Sequence, residues 1–198
     1  MSFRDFKFPQ VVDTLHLGYQ ERHLFPDLTP MAFRDVVIEQ LREGLDVSQG
    51  LNTEKARSEF VVAPFLMELR RMANHRFGIF SGYELDVDAA LGLNGVCDFM
   101  LTREHFMYIL RAPILTIAEA KNDNVHNGFG QCIATMHAAA VYNERAGQPG
   151  PVYGVSTTGV QWKFFRLENG VLTLDVPDYV FPHHVGQVAA MFLRIVNT

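Results

Sequence analysis

Residues 113–121 read Pro113-Ile114-Leu115-Thr116-Ile117-Ala118-Glu119-Ala120-Lys121, and this short run limits the fold more than any other stretch of the chain. Its β-branched and aliphatic residues, opened by a proline, describe a buried strand. Alternation places Leu115, Ile117, Glu119 and Lys121 on one side, so an acid and a base project together from the strand's C-terminal end. A buried carboxylate costs several kcal/mol or takes up a proton unless a cation, a hydrogen-bond network or a metal compensates it.

The same difficulty recurs at two more acids. Asp98 lies in a strand over 93–101 that is apolar on both sides, with Val96, Asp98 and Met100 on one face and Cys97, Phe99 and Leu101 on the other. Glu59 heads a helical stripe of Val62, Ala63 and Leu66, a face that normally turns to the core. Gln131 belongs to a narrow helix face with Ala134, Thr135 and Ala138, where a backbone can approach closely and N-terminal donors suit an anion.

Residues 1–29, aromatic-rich and punctuated by Pro9 and Pro26, read as an extended arm whose Phe3, Phe6 and Phe8 could pair protomers. Thr29-Pro30 forms an N-cap followed by a first-turn proline, predicting a helix that stops near Gly44. A second helix is expected over 52–74, kinked or broken at Pro64, which offers no N–H to the Phe60 carbonyl. From Phe77 the period becomes alternating: a strand with Tyr83, Leu85 and Val87 on one face, the 93–101 strand, an insertion over 102–112, then the strand after Pro113. A polar loop leads to a helix over 128–145, ended by Gly147. Gly147-Gln148-Pro149-Gly150-Pro151 is read as a loop inside one domain, followed by strand pairs and a last amphipathic helix after His183-His184. At 198 residues and 48% hydrophobic, the chain suits a single domain over 1–198 and excludes disorder.

Two cysteines, Cys97 and Cys132, lack the number and spacing for a disulfide framework or a zinc site, so a reducing, cytoplasmic setting is expected. Neither a signal peptide nor a membrane-length apolar run is visible, so no membrane partner is expected. The net charge of −5 by itself argues against a polyanionic partner. The eight histidines show no HExxH-like spacing, and only His126, in the loop after the lysine strand, lies close to the acids in sequence. Arg70, Arg71, His75 and Arg76 form a basic patch that also suits the end of a helix. Cys97 reads as a packed thiol and Trp162 as sheet packing.

Two carboxylates suit a hard divalent cation such as Mg²⁺ or Mn²⁺, and a lysine two residues on could orient or help deprotonate an attacking water. A structural salt bridge of Lys121 with Glu119 or Asp98 explains the same residues without catalysis. The order of a helix with Glu59, a hairpin with Asp98, a strand with Glu119-x-Lys121, a helix with Gln131 and paired strands resembles the PD-(D/E)XK nuclease superfamily over about residues 52–167. Gly95-Val96-Cys97-Asp98-Phe99 is similar to the glycine-x-x-aspartate-aromatic strand of its restriction-type and uncharacterised members. Thr158-Gly159-Val160-Gln161-Trp162-Lys163-Phe164 is similar to a strand turn found after their core helix. Cys97 replaces the proline of the superfamily's name, and Thr135 replaces the tyrosine of its exonuclease branch.

The resemblance implies an α/β fold with a restriction-endonuclease-like core (αβββαβ), a mixed central sheet flanked by helices. It implies Asp98, Glu119 and the Ala120 carbonyl as ligands of Mg²⁺ or Mn²⁺, Lys121 on the water, and supporting roles for Glu59 and Gln131. The function implied is phosphodiester hydrolysis in DNA or RNA, DNA first, by an endonuclease that in some members is a homodimer. A silent member, serving as a nucleic-acid or protein interaction module, is the alternative. Without metal, the clustered acids should raise at least one apparent pKa.

Overall fold

The run after Pro113 is a strand, Ile114–Ala120, and every residue of it is buried. It lies inside an eight-stranded mixed sheet with helices on both faces in the computed structural model, which describes residues 1–105 and 108–197. In chain order the elements are α1 (Gln10–Thr14), β1 (Gly18–Arg22), α2 (Asp35–Leu51), α3 (Glu54–Arg57), α4 (Ala63–Met72), β2 (Gly78–Asp88) and β3 (Leu93–Thr102). They continue with β4 (Ile114–Ala120), α5 (Phe129–Arg145), β5 (Val152–Thr157), β6 (Gln161–Glu168), β7 (Val171–Asp175), β8 (Tyr179–Val180) and α6 (Val185–Val196). The helix–strand–strand–strand–helix–strand order expected from residue 52 onward is therefore present.

The sheet runs β1-β7-β6-β5-β4-β3-β2, with β8 beside β6. β2, β3 and β4 form an antiparallel meander, whereas β4 and β5 are parallel. Parallel neighbours need a crossover, and α5 supplies it, lying on one face of the sheet. On that face Ile117, Ile133, Met136 and Phe165 pack with Phe3 and Phe6 of the N-terminal segment. The opposite face carries α2, α4 and α6, with Phe65, Leu66, Trp162, Phe164 and Phe192 at its centre. No helix among the described residues is long and apolar enough to cross a membrane.

The N-terminal segment differs from the extended arm expected. Phe3 and Phe6 are buried, Phe8 packs edge-on against Phe129, and β1 pairs in parallel with β7 from Gly18↔Val171 to Arg22↔Asp175. Its aromatic residues Phe3 and Phe6 belong to the chain's own core. The added strand also covers the edge that β7 would otherwise expose.

The helix expected from Pro30 begins instead at Asp35 and runs past Gly44 to Leu51. Met31 donates to the Gly186 carbonyl, holding residues 30 and 31 against α6, and Arg34 is tied to Glu68. Paired hydrogen bonds from Arg71, joined by those from Arg34, outweigh burial and hold the Glu68 carboxyl down to about 2. Asn52, at φ 49°, closes α2 in the left-handed region.

Pro64 produces neither a break nor a separate helix. Residues Ser58–Val62 form a π turn between α3 and α4, in which the Ala63 N–H reaches back five residues to the Ser58 carbonyl. One extra residue in a turn is a recognised way to accommodate a local defect in the hydrogen-bond ladder. The Phe60 carbonyl, deprived of a donor at Pro64, lies directly over Gly44 of α2. The expected insertion over 102–112 includes residues 106 and 107, which lie outside the described residues.

The contact at Gly44 leaves no room for a methyl group. Gly44→Ala should cost roughly 1–3 kcal/mol through overpacking, read as a lower denaturation midpoint with an unchanged m-value. Gly50→Ala, in the same helix with open space around it, should be neutral or stabilising by helix propensity.

Candidate functional site

The acid on β3 is positioned by a defect shared between two strands. Phe80 and Leu85 of β2 lie in one core although five residues apart, and Cys97 and Met100 of β3 share that core although three apart. Strict alternation cannot do this, so side-chain facing slips by one position in both strands. The slip falls between the pairs Ser81↔Phe99 and Tyr83↔Cys97, at Gly82, whose φ is +60°, and Asp98 opposite. Cys97 accordingly packs with Met100 and not with Phe99 and Leu101 as alternation predicted.

The β3–β4 ladder ends at Phe99↔Ala118, and beyond it the Asp98 side chain takes over from backbone pairing. Its Oδ2 accepts from the Ala120 N–H at 2.9 Å. In an extended strand a residue's N–H and C=O point the same way, so the Ala120 carbonyl also faces Asp98, past the last rung of the ladder.

Glu119 and Lys121 project to the α5 side, as alternation predicted. Glu119 is 2% exposed, and its Oε1 accepts from Lys121 Nζ at 2.8 Å. Its Oε2, also buried, accepts no hydrogen bond, and the Asp98 carboxylate is near enough to hydrogen-bond the protonated Glu119 carboxyl. Burial, followed by the nearby Asp98 charge, pushes the Glu119 carboxyl up to about 8 against the opposing pull of Lys121. A rise is the expectation for clustered acids; here burial is its largest cause and Asp98 the acid that adds to it, while Glu59 is paired with Lys55. Burial depresses the Lys121 ammonium, but Glu119, with smaller help from Glu54 and Asp98, more than offsets it, leaving the lysine above its ordinary value.

Lys121 is held from several sides. Its backbone N–H donates to the Thr157 carbonyl at 2.7 Å, its stem lies against Gly128, and Nζ is 3.5 Å from Gln131 Oε1 and 3.6 Å from Glu54 Oε1. Gln131 lies in the first turn of α5, and the adjoining Gly130 lets the backbone of Phe6 and Lys7 cross the helix. Asp98, Glu119, Lys121 and Gln131 thus meet at the C-terminal end of β4.

Glu59 lies at the margin of this group. It was expected on an apolar face, but it is 53% exposed and paired with Lys55 at 3.1 Å. The π turn shifts helical facing by one residue at this point, so Val61 and Val62 turn inward and Glu59 turns out. Glu59 still borders an open depression of about 360 Å³ with Asp98, Ser81, Glu54 and Arg4. A second depression, about 250 Å³, lies against Lys121 and Gln131 and is lined also by Arg4, Phe6, Lys7, Glu54 and Asn127.

Glu54, common to both depressions, escaped the sequence reading. It follows the Thr53 cap in the first turn of α3, where an acid is ordinary helix-dipole chemistry and carries no anomaly to flag. Arg4 and Lys7 were missed because their segment read as a detached arm.

The donor set suits a small, hard cation. Glu119 Oε2 is a buried oxygen that accepts no hydrogen bond, Asp98 is coupled to the same carboxyl, and extended-strand geometry turns the Ala120 carbonyl toward Asp98 as well. Among the described residues no three His, Cys, Asp or Glu side chains stand together as a ligand set. Such a site would therefore combine two carboxylates and a carbonyl, leaving other positions for water, as Mg²⁺ tolerates.

Other residues singled out from sequence have structural partners. His126 donates its backbone N–H to Oδ1 of Asn124, which caps the turn before α5, and its ring packs at a tilt against Phe129. Arg70 bonds the Phe77 carbonyl and His75, Arg71 bonds Glu68, and Arg76 bonds the Ala73 carbonyl, so the basic patch ties off the end of α4. Burial, with Glu119 nearby, pushes both cysteine thiols up, which suits packing rather than nucleophilic chemistry. Trp162 packs on Phe65 and donates to the Gly159 carbonyl at 3.2 Å.

A carboxyl whose native pKa is raised favours folding below its ordinary value of 4.5, and that contribution is lost as the pH rises through about 8. In metal-free buffer, denaturant titrations should give stability falling between pH 5 and pH 9. Glu119→Gln should flatten the dependence, and equal slopes for both proteins would refute the assignment.

No protein-family model matches the chain, and no curated protein matches it.

Proposed function

We propose that the protein is a Mg²⁺- or Mn²⁺-dependent nuclease of the PD-(D/E)XK type, hydrolysing phosphodiester bonds of DNA or RNA. The observation that carries this reading is the buried Glu119 carboxyl set against Asp98, with Oε2 accepting no hydrogen bond and the Lys121 ammonium fixed alongside. Two neighbouring carboxyl groups, one of them buried, resist ionising together, and a cation would remove that cost. The element order from α3 to β6, with α5 crossing between two parallel strands, supports a restriction-endonuclease-like core.

In this reading Asp98, Glu119 and the Ala120 carbonyl hold the ion. A bound Mg²⁺ supplies Lewis acidity and makes water a better nucleophile at neutral pH. Lys121, whose pKa Glu119 raises, orients the attacking water and offsets charge on the phosphoryl oxygens. Gln131 and Glu54 hold the ammonium in place. The water oxygen would form the new P–O bond as the P–O bond to the sugar oxygen breaks opposite it, the water giving up a proton to solvent and the departing sugar oxygen taking one from solvent.

The closed 2.8 Å pair of Lys121 with Glu119 favours a second reading, a silent member of the same fold in which the acids serve only as ion-pair partners. Calorimetric titration of Mn²⁺ into wild type and Glu119→Ala separates the two. The nuclease reading expects binding by wild type alone and a higher melting temperature at saturating metal. In an activity screen over single- and double-stranded DNA and RNA, Lys121→Ala should lower metal-dependent cleavage by about 10²-fold or more. Wild type that takes up no metal and cuts no nucleic acid would overturn the proposal.

The net charge of −5 is compatible with a phosphate substrate, since part of it belongs to these acids. Binding without divalent metal should be weak.

A further inference from the structure

Two cations that line the depressions beside the acids, and that form no salt bridge among the described residues, come from the N-terminal segment. Phe3 and Phe6 are its anchors, 1% and 4% exposed, with the Phe3 ring against Gly95 of β3 and the Phe6 backbone against Gly130 of α5. The residues beside these anchors, Arg4 and Lys7, turn to the surface. Arg4 lines both depressions, one shared with Asp98 and the other with Lys121, and Lys7 lines the second.

Their charges are available. Asp5, the nearest acid in sequence, accepts from the Ser2 N–H at 2.6 Å and its hydroxyl at 3.5 Å. Lys7 Nζ donates to the Arg4 carbonyl at 3.3 Å, a bond that fixes its position without cancelling its charge. Among the described residues neither Arg4 nor Lys7 forms a salt bridge, whereas Lys55 is paired with Glu59 and Lys121 with Glu119.

We infer that Arg4 and Lys7 form a clamp for the phosphates flanking the scissile bond, holding a nucleic-acid backbone across the two depressions. The inference rests on the nucleic-acid reading above. A polyanion approaching Glu54, Glu59, Asp98 and Glu119 is repelled by carboxylates that one divalent ion cannot fully offset. Cations on the rim are what admits it. Contacts of this kind position the backbone and read no bases, so the pair acts alike on every sequence. Arg4 and Lys7 are positioning residues, separate from the reacting atoms.

The test measures binding of about 20-nucleotide fluorescein-labelled DNA, single-stranded and duplex, by anisotropy in Mg²⁺, using Lys121→Ala protein to suppress cleavage. Adding Arg4→Ala and Lys7→Ala should weaken binding by about tenfold or more at physiological salt. The slope of log affinity against log salt should fall by about 1.8 for duplex and about 1.4 for single strands, the release expected from two phosphate contacts. Arg4→Lys with Lys7→Arg should restore both. Since both side chains are exposed, melting temperature and Mn²⁺ affinity should be unchanged.

Equal affinity and equal salt slope in the alanine protein would overturn the clamp while leaving the nuclease reading in place. Wild type that binds DNA without cutting any form, but loses binding in Arg4→Ala/Lys7→Ala, would support the clamp and remove the catalysis. Absence of binding to either DNA form by wild type and Lys121→Ala protein alike would overturn the clamp, whereas metal-dependent cleavage of RNA would still sustain the nuclease reading.

Discussion

A carboxylate almost fully removed from water at the end of a buried strand is the constraint around which this molecule is arranged. Glu119 ionises only if the surroundings supply positive charge, and Lys121 supplies part of it from the same face of β4. Holding that lysine requires Thr157 on the parallel neighbour, Gln131 at the start of the crossover helix, Gly128 under its stem and Glu54 across the groove. Each comes from a different element. The parallel β4–β5 pair and the α5 crossover are thereby tied to the electrostatics of one acid.

The residues legible in sequence were those that violated a pattern. An acid and a lysine in an apolar run, and an aspartate in a strand apolar on both sides, are costly enough to be conspicuous, and Asp98, Glu119, Lys121 and Gln131 do converge. The strand and helix succession from residue 52 was legible for the related reason that binary patterning follows element period. What escaped notice obeyed local rules. Glu54 sits where first-turn acids belong, and Arg4 and Lys7 alternate with phenylalanines in a segment whose docking depends on surfaces formed by β3 and α5, far away in sequence.

Local errors share a second cause. Thr29-Pro30 satisfies every helix-start rule, yet the Met31–Gly186 hydrogen bond holds the backbone extended there, an instance of tertiary contact overriding propensity. At Glu59 and at Cys97 the reading failed because regular periods were assumed where the chain carries one irregular turn: the π turn at Ser58–Val62 and the facing slip at Gly82 and Asp98. Both irregularities border the same depression. Departures from ideal geometry gathered around one group of ionisable side chains are what functional sites commonly display.

The pairing of β1 with β7 has a consequence for the order of events during synthesis. These strands are neighbours in space, yet about 150 residues separate them along the chain. A ribosome-bound chain that has released the β2–β3–β4 meander and α5 already carries the seats of Phe3 and Phe6, at Gly95 and Gly130, while Gly18–Arg22 still lacks its partner. Until Val171–Asp175 emerges, that segment is an unpaired strand edge of the kind that exposes nascent chains to misassembly. The anchors beside Arg4 and Lys7 are thus complete well before the strand that follows them is closed into the sheet.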